Sequence, residues 1–492
     1  MTAATLPTAL LDDLKLALAS CPQAVTPDDA LALLDGLCGA PDSGLAADRT
    51  LWSRLFAPTP TPDLLAALDA ARARLAAPAE PALTVRDRVP ALRAEMQRQG
   101  LDGFVIPHGD EHQSEFIPAA SARLAWLTGF SGSAGIAIVL AEQAAIFVDG
   151  RYTLQVRDQV DTDVFATLHL TEQPPAEWIE AHLPNGAALG IDPWLHSADA
   201  VERFENAAKK AGGQITLVER NPVDAIWSDR PARPLAPVIP HPDRFAGETS
   251  EAKRQRLAES LDAESVAAAI LTQPDSVAWL LNIRGGDTAH TPLPLSFALL
   301  HRDGRVDLFC DGRKLLPETR QHLGNGVRVQ ALEALGPALE ALGTAEACVL
   351  ADRQSTPAWV LNRLSAAGAK VQNGADPCVA PRAAKNPVEL EGARAAHRRD
   401  AVAVIRFLAR IDGYGETGTI GEVAAAEQLL AYRHEVEGFR DQSFPTISGF
   451  GPNGAIVHYR ATVETDRMLE PGSLYLVDSG GQFQDGTTDI TR

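Results

Sequence analysis

Three residues near the end of this 492-residue sequence have types and spacing that could do chemistry: His458, Asp478 and Asp489. The two aspartates stand eleven positions apart, each in or beside a β-branched, apolar run, with Ser479-Gly-Gly-Gln-Phe-Gln-Asp-Gly486 turning between them. Two strands joined by such a turn can present both carboxylates on one face. Hard oxygen ligands of this kind hold divalent cations, and a pair of cations offsets the repulsion between neighbouring carboxylates. The competing use of Asp in a Gly-rich turn is hydrogen bonding to its own backbone, and on spacing alone that use is the commoner one. His458, twenty positions before Asp478 in Gly454-Ala-Ile-Val-His-Tyr459, reads by itself as a core or strand-edge histidine.

Other signals carry less. Gly449-Phe-Gly-Pro-Asn-Gly454 matches GxGxxG literally, but a dinucleotide loop follows a strand and opens a helix. Here Pro452 interrupts the segment and a strand is expected next, so it reads as a turn. Arg151, Arg284 and His290 fit either a substrate path or a solvated surface. His108, His112, His397 and His434 read as structural.

The elements that must position the three residues begin at Asn386-Pro-Val-Glu389, where Asn caps, Pro sits at N1 and Glu at N3 reaches back. Leu390, Ala393, His397, Val404, Leu408 and Ile411 trace one face of the resulting helix. Thr419-Ile-Gly-Glu422 is a second capping box, opening a helix through Val423, Ala426 and Leu430. Strands are expected at 443–447, 455–459, 473–477 and 487–491, which makes 381–492 an α+β layer.

Upstream, the texture alternates between helix and strand. Strand patterns at 103–107, 136–140 and 145–148, after a helix over 85–99, define an α/β unit over 84–222. Patterns at 267–271, 296–300 and 347–350 define a second α/β unit over 243–380, similar in size and order but without a residue-level repeat. Prolines 222, 231, 234, 237, 240 and 242 predict an extended linker over 223–242. Residues 1–83 are Ala/Leu-rich and read as a helical extension, with a start at Thr26-Pro-Asp-Asp29 and Pro-rich breaks at 57–62 and 77–82.

At about 150 residues per domain the length itself predicts roughly three domains. The 44 Lys and Arg against 64 Asp and Glu give a formal charge of −20, which argues against nucleic acid or an anionic membrane as partner. Five widely spaced cysteines predict free thiols in a reducing cytoplasm. The first seven residues show no positive leader or cleavage site, and no apolar run approaches the roughly 20 residues that span a bilayer. A soluble cytoplasmic protein is expected.

The string Val477-Asp-Ser-Gly-Gly-Gln-Phe-Gln-Asp-Gly-Thr-Thr-Asp-Ile-Thr-Arg492 is more selective than its spacing. It resembles the first metal motif of aminopeptidase P (Xaa-Pro aminopeptidase), in its long three-domain form, among the M24 "pita-bread" metallopeptidases. Asp102-Gly-Phe-Val-Ile-Pro-His-Gly-Asp-Glu-His-Gln-Ser-Glu115, Trp126-Leu-Thr-Gly-Phe-Ser-Gly-Ser-Ala-Gly135, Val148-Asp-Gly-Arg-Tyr152 and Trp279-Leu-Leu-Asn-Ile-Arg-Gly-Gly-Asp287 are similar to that family's two creatinase-like N-terminal domains. Asn386-Pro-Val-Glu-Leu-Glu-Gly392 and Gly454-Ala-Ile-Val-His-Tyr459 are similar to its catalytic domain. The resemblance starts at about residue 84 and favours this family over creatinase or prolidase.

The resemblance implies a fold of α/β and α+β type: two creatinase-like α/β domains at 84–222 and 243–380, then a partial pita-bread domain at 381–492. It implies that Asp478 ligates one divalent ion, that Asp489 bridges two, Mn being the expected metal, and that His458 contacts substrate and shuttles a proton. The implied reaction releases the N-terminal residue of short peptides with proline at the second position, in a homodimer. The family also uses a His and two Glu from a second half of the domain, for which residues 490–492 leave no room. We therefore expect a C-terminally truncated chain with weak metal affinity and little or no activity. The alternative is a non-catalytic homologue acting at most as a binding or interaction protein.

Overall fold

The structure is a computed structural model and describes residues 6–75, 83–415 and 420–492. Helices Thr8–Ala19, Pro27–Cys38 and Pro62–Leu75 pack through Leu14, Leu34, Leu37, Leu64 and Leu68, with Phe56 between them. Thr26 caps as expected, its hydroxyl accepting from Asp29 N at 3.2 Å. The break expected at 77–82 lies outside the described residues. Leu235 and Leu316 enter this helical core, and Arg54 grips Glu318 with two hydrogen bonds of 2.7 and 2.9 Å, so the extension is docked on the second α/β unit.

The first unit holds six strands: β1 (Gly103–Pro107), β2 (Ile136–Leu140), β3 (Ala144–Val148), β4 (Ala166–His169), β5 (Ala188–Ile191) and β6 (Gln214–Leu217). Their order is β4-β3-β2-β1-β5-β6. β1–β2 and β2–β3 are antiparallel, while the outer pairings are parallel. Side chains alternate across the sheet. Phe104, Ile106, Val139 and Ile146 fill one core, and Val105, Ile138, Phe147 and Ile191 fill the other. Both faces are buried, which is why these strands read as continuous apolar runs.

Downstream, β7 (Ile239–Pro240) and β9 (Ile283–Arg284) form a short antiparallel ladder. The second sheet comprises β8 (Ala268–Leu271), β10 (Phe297–His301), β11 (Val306–Phe309), β12 (Val327–Gln330), β13 (Cys348–Ala351) and β14 (Lys370–Asn373). Its order, β12-β11-β10-β8-β13-β14, and its pattern of parallel and antiparallel pairs repeat those of the first sheet. Ala269, Leu271 and Leu300 face one core, and Ile270, Leu299 and Val349 the other.

The proline-rich segment between the units is only partly extended. Pro222–Ile226 is a helix, with Asn221 Oδ1 accepting from Val223 N at 2.9 Å, and Val223 and Trp227 lie in the first unit's core. Proline at N1 costs no hydrogen bond, because that N–H has no partner within the helix anyway. Residues 231–237 have no regular secondary structure.

The third region opens on helix Pro387–Gly415 and its capping box is complete: Asn386 Oδ1 accepts from Val388 N and Glu389 N, and Glu389 Oε2 accepts from Asn386 N at 2.9 Å. The expected face holds in the second half of the helix, where Val404 is in the core and Leu408 and Ile411 pack against it, and fails in the first: Leu390 and His397 are exposed, and the stripe there runs through Ala396, Asp400, Ala403 and Phe407. Glu422–His434 is the second helix; Thr419 of its expected capping box lies outside the described residues.

Five short strands follow: β15 (Phe439–Gln442), β16 (Ile447–Phe450), β17 (Tyr475–Ser479), β18 (Gly481–Phe483) and β19 (Ile490–Thr491). β15 pairs with β18, and β16-β17-β19 form a three-stranded sheet. Of the strand expected at 443–447 only Ile447 is in a strand, as the start of β16; residues 443–446, with Pro445, which lacks a donor, connect it to β15. The strand expected at 455–459 is absent: Gly451–Ala455 is a 3-10 turn and residues 457–458 continue as a turn. The strand expected at 487–491 shrinks to Ile490–Thr491, since Thr488 turns inward.

Candidate functional site

Asp478 sits in β17, paired with Thr491, whose hydroxyl donates to Asp478 Oδ1 at 2.8 Å. Asp489 immediately precedes β19, and β17 and β19 run antiparallel, so the two carboxyls reach one side of the sheet. The connection is more than a hairpin. β18 leaves the sheet to pair with β15, and the loop returns tightly against Gly480, where a Cβ would stand 2.0 Å from Thr488 O. Only glycine permits that approach.

The Asp489 carboxyl is raised above the usual range. Partial burial is the leading cause, followed by the adjacent Asp478 charge and a hydrogen bond to it, against a smaller lowering by His397. Since Asp489 remains exposed, the desolvation is modest and the second carboxylate is the specific feature. Two acidic groups forced together in this way suit a divalent cation, which removes the repulsion.

His458 joins them from the turn after Gly451–Ala455, with φ at +56°. A non-glycine residue in the left-handed region is strained and persists only where its surroundings hold it. Two groups do so. Tyr152 Oη lies 3.0 Å from His458 Nδ1, and Ser133 Oγ is 2.8 Å from the same phenol and 3.1 Å from Glu115 Oε1. Glu422, fully buried, accepts from Phe450 N at 2.6 Å, Asn453 Nδ2 at 3.0 Å, Tyr459 Oη at 3.0 Å and Arg467 N at 3.2 Å. It thereby fixes both ends of the loop carrying His458.

His458, Asp478 and Asp489 line one cavity of about 300 Å³ with Glu115, Phe116 and Tyr152 from the first unit. All three expected residues therefore converge. Tyr152 and Glu422 carry no local sequence signal for these roles, because their partners, His458 for the first and Phe450 and Tyr459 for the second, are distant in the chain. The other singled-out residues do not line this cavity, although Arg151 and His397 stand beside it. Arg151 pairs with Asp149 at 2.8 Å, approaches Glu115 Oε1 at 3.8 Å and lies over the Tyr152 ring, while Arg284 and His290 line a separate cavity of about 80 Å³. His112 is buried between the α/β units, 2.8 Å from Thr272 O and stacked on Phe297. His108 binds Glu115 O, His397 binds Ala393 O in its own helix, and His434 meets Phe439 edge-on. Gly449–Gly454 runs from a strand into a 3-10 turn rather than a helix, consistent with a turn.

Residues 88–221 and 229–389 each match the creatinase/prolidase N-terminal domain, and residues 391–492 match metallopeptidase family M24. The molecule is thus two creatinase-like α/β domains followed by an M24 domain. A protein of Coccidioides posadasii strain C735 described as a probable Xaa-Pro aminopeptidase P is 36% identical over 433 residues, covering 85% of this chain and 66% of its own length. Its counterpart in strain RMSCC 757 / Silveira is 36% identical over 419 residues, with 82% and 68% covered. A cytosolic X-prolyl aminopeptidase of Caenorhabditis elegans, described as having a di-nuclear active site, superposes with a TM-score of 0.79 at 28% identity, covering 83% of this chain and 69% of that one. The chain belongs to the Xaa-Pro aminopeptidase P family, and it spans about two thirds of the length of these curated relatives.

Among the described residues, no helix is long and apolar enough to cross a membrane.

Proposed function

We propose that this chain acts in releasing the N-terminal residue from short peptides with proline at the second position, as a cytoplasmic metallopeptidase. The observation that carries the reading is the convergence of Asp478, Asp489 and His458 on one cavity, in a domain matching family M24. The adjacent carboxyls fit divalent ions, and we assign Asp478 to one ion and Asp489 to both, with Mn²⁺ as the metal. Two such ions, when bound, activate water at neutral pH and polarise a carbonyl.

The chain's own residues supply orientation and proton handling. Tyr152 engages His458 Nδ1, so Nε2 is the nitrogen that gives or takes a proton at the reacting centre. Glu115, Phe116 and Tyr152 narrow the cavity from the first unit, restricting it to short peptides; we further propose a homodimer.

A second reading rests on the donor count. Among the described residues no group of three or more His, Cys, Asp or Glu side chains converges as a metal site, whereas a binuclear centre commonly uses more protein ligands than two carboxylates. On this reading these 492 residues alone bind metal weakly, have no turnover, and act at most as a binding protein. Calorimetric titration with Mn²⁺ and cleavage of an Xaa-Pro peptide separate the readings. The first expects both signals to disappear in Asp478→Asn and Asp489→Asn; turnover that persists in both variants sinks it.

A further inference from the structure

Beneath the two carboxylates lies a buried ion pair that the proposed chemistry does not use. Asp400, from helix Pro387–Gly415, and Arg433, from helix Glu422–His434, are both about 1% exposed or less. Arg433 Nε donates to Asp400 Oδ1 at 2.7 Å and Nη2 to Oδ2 at 3.1 Å, a two-pronged grip. Each member then extends to the metal-site strands. Arg433 Nη2 also donates to Ser479 Oγ at 3.1 Å, and Asp400 Oδ2 accepts from Thr488 Oγ1 at 2.8 Å. Ser479 directly follows Asp478 and Thr488 directly precedes Asp489.

Thr488 closes the loop as well. Its hydroxyl accepts from Gly481 N at 2.8 Å, and its carbonyl accepts from Ser443 Oγ at 2.8 Å. One ion pair therefore ties two helices to the backbone beside both carboxylates, on the side away from the cavity.

Stability alone gives a poor account of this arrangement. Arg433 Nη1 is buried with no partner among the described residues, and a buried pair is often no more stabilising than apolar side chains of the same volume. What the pair supplies is a hydrogen bond to the residue next to each carboxylate, Ser479 and Thr488.

We infer that Asp400 and Arg433 are positioning residues that pre-set the Asp478 and Asp489 carboxylates for divalent cations, acting through Ser479 and Thr488. The inference rests on the metal reading of those aspartates. Outer partners of metal ligands commonly govern affinity by about 10- to 100-fold.

Thr488→Val, isosteric and leaving the ion pair intact, tests it in the full 492-residue chain. The expected result is Mn²⁺ affinity lower by about tenfold or more in calorimetric titration, with amide exchange accelerated across residues 480–489 and unchanged in β1 and β8. Thr488→Ser, which keeps the hydroxyl, restores both. Unchanged exchange in Thr488→Val, or failure of Thr488→Ser to restore it, overturns the clamp. So does unchanged Mn²⁺ affinity in a chain whose parent binds the ion. Asp478→Asn combined with Asp489→Asn separates the two claims: Mn²⁺ binding that survives this pair overturns the metal reading, and the inference falls with it for that distinct reason.

Discussion

The two six-stranded units share strand order and pairing pattern, yet they meet the candidate site differently. The first reaches the chemistry with side chains, through Glu115, Ser133 and Tyr152 to His458. The second contacts the third domain beside the other cavity, where His290 Nδ1 lies 3.2 Å from Gln442 O and the His290 carbonyl accepts from Gln482 Nε2 at 2.8 Å. Its own strongest polar feature is internal: Lys314 Nζ donates to Asp287 Oδ2 at 2.6 Å, both buried, and Asp287 also accepts from Ala236 N and Leu295 N. The lesson is that topology is set by the alternation of apolar side chains, whereas function is set by which loop ends happen to face the third domain.

The largest expected effect breaks the second unit. Lys314→Met strands Asp287 as an uncompensated buried charge and should cost about 3–5 kcal/mol in urea unfolding. The corresponding cut in the first unit, Arg123→Met, should cost about 2 kcal/mol. Asp224 is partly exposed there and keeps Arg230 at 2.7 Å. Equal losses would show that the units are built alike in energy as well as in topology.

Next comes the contact with the site. Tyr152→Phe removes the phenol beside His458 and should lower kcat/KM on an Xaa-Pro peptide about tenfold, near 1.4 kcal/mol. His290→Ala, the second unit's contact, should change it less than about threefold. A larger loss from His290→Ala would reverse the asymmetry argued above.

A further difference appears only in acid. Burial lowers His196, at the end of the first unit's β5 loop, to about 4, and lowers His241, entering the second unit, to about 3. Both fall below the unfolded value of 6.5, so unfolding takes up protons and stability declines as pH drops from 6.5 toward those values. His196→Gln and His241→Gln should each flatten the acid side of the stability curve, measured by denaturation between pH 7 and about 4.

Much of this was legible beforehand because it is local. β1 and β2 match their expected spans, since a strand buried on both faces advertises itself as an apolar run. The Asn386 capping box was readable for the same reason, its partners lying three residues apart. The region around His458 was misread as a strand because its conformation depends on distant groups: Glu422 from a helix, and Tyr152 from another domain. Alternating apolar residues favour a strand only when no stronger partner claims the backbone.

By itself, the sequence determined the alternating cores of the two sheets, the helix starts, and the residue types able to take up metal and protons. Those are matters of periodicity, capping and donor chemistry within a short stretch of chain. The tertiary structure decided that the two sheets are topological copies, that Asp478 and Asp489 lie over a buried Asp400–Arg433 pair, and that a first-unit tyrosine holds His458. These depend on groups tens to hundreds of residues apart meeting in a low-dielectric interior, where each buried donor or acceptor must find a partner.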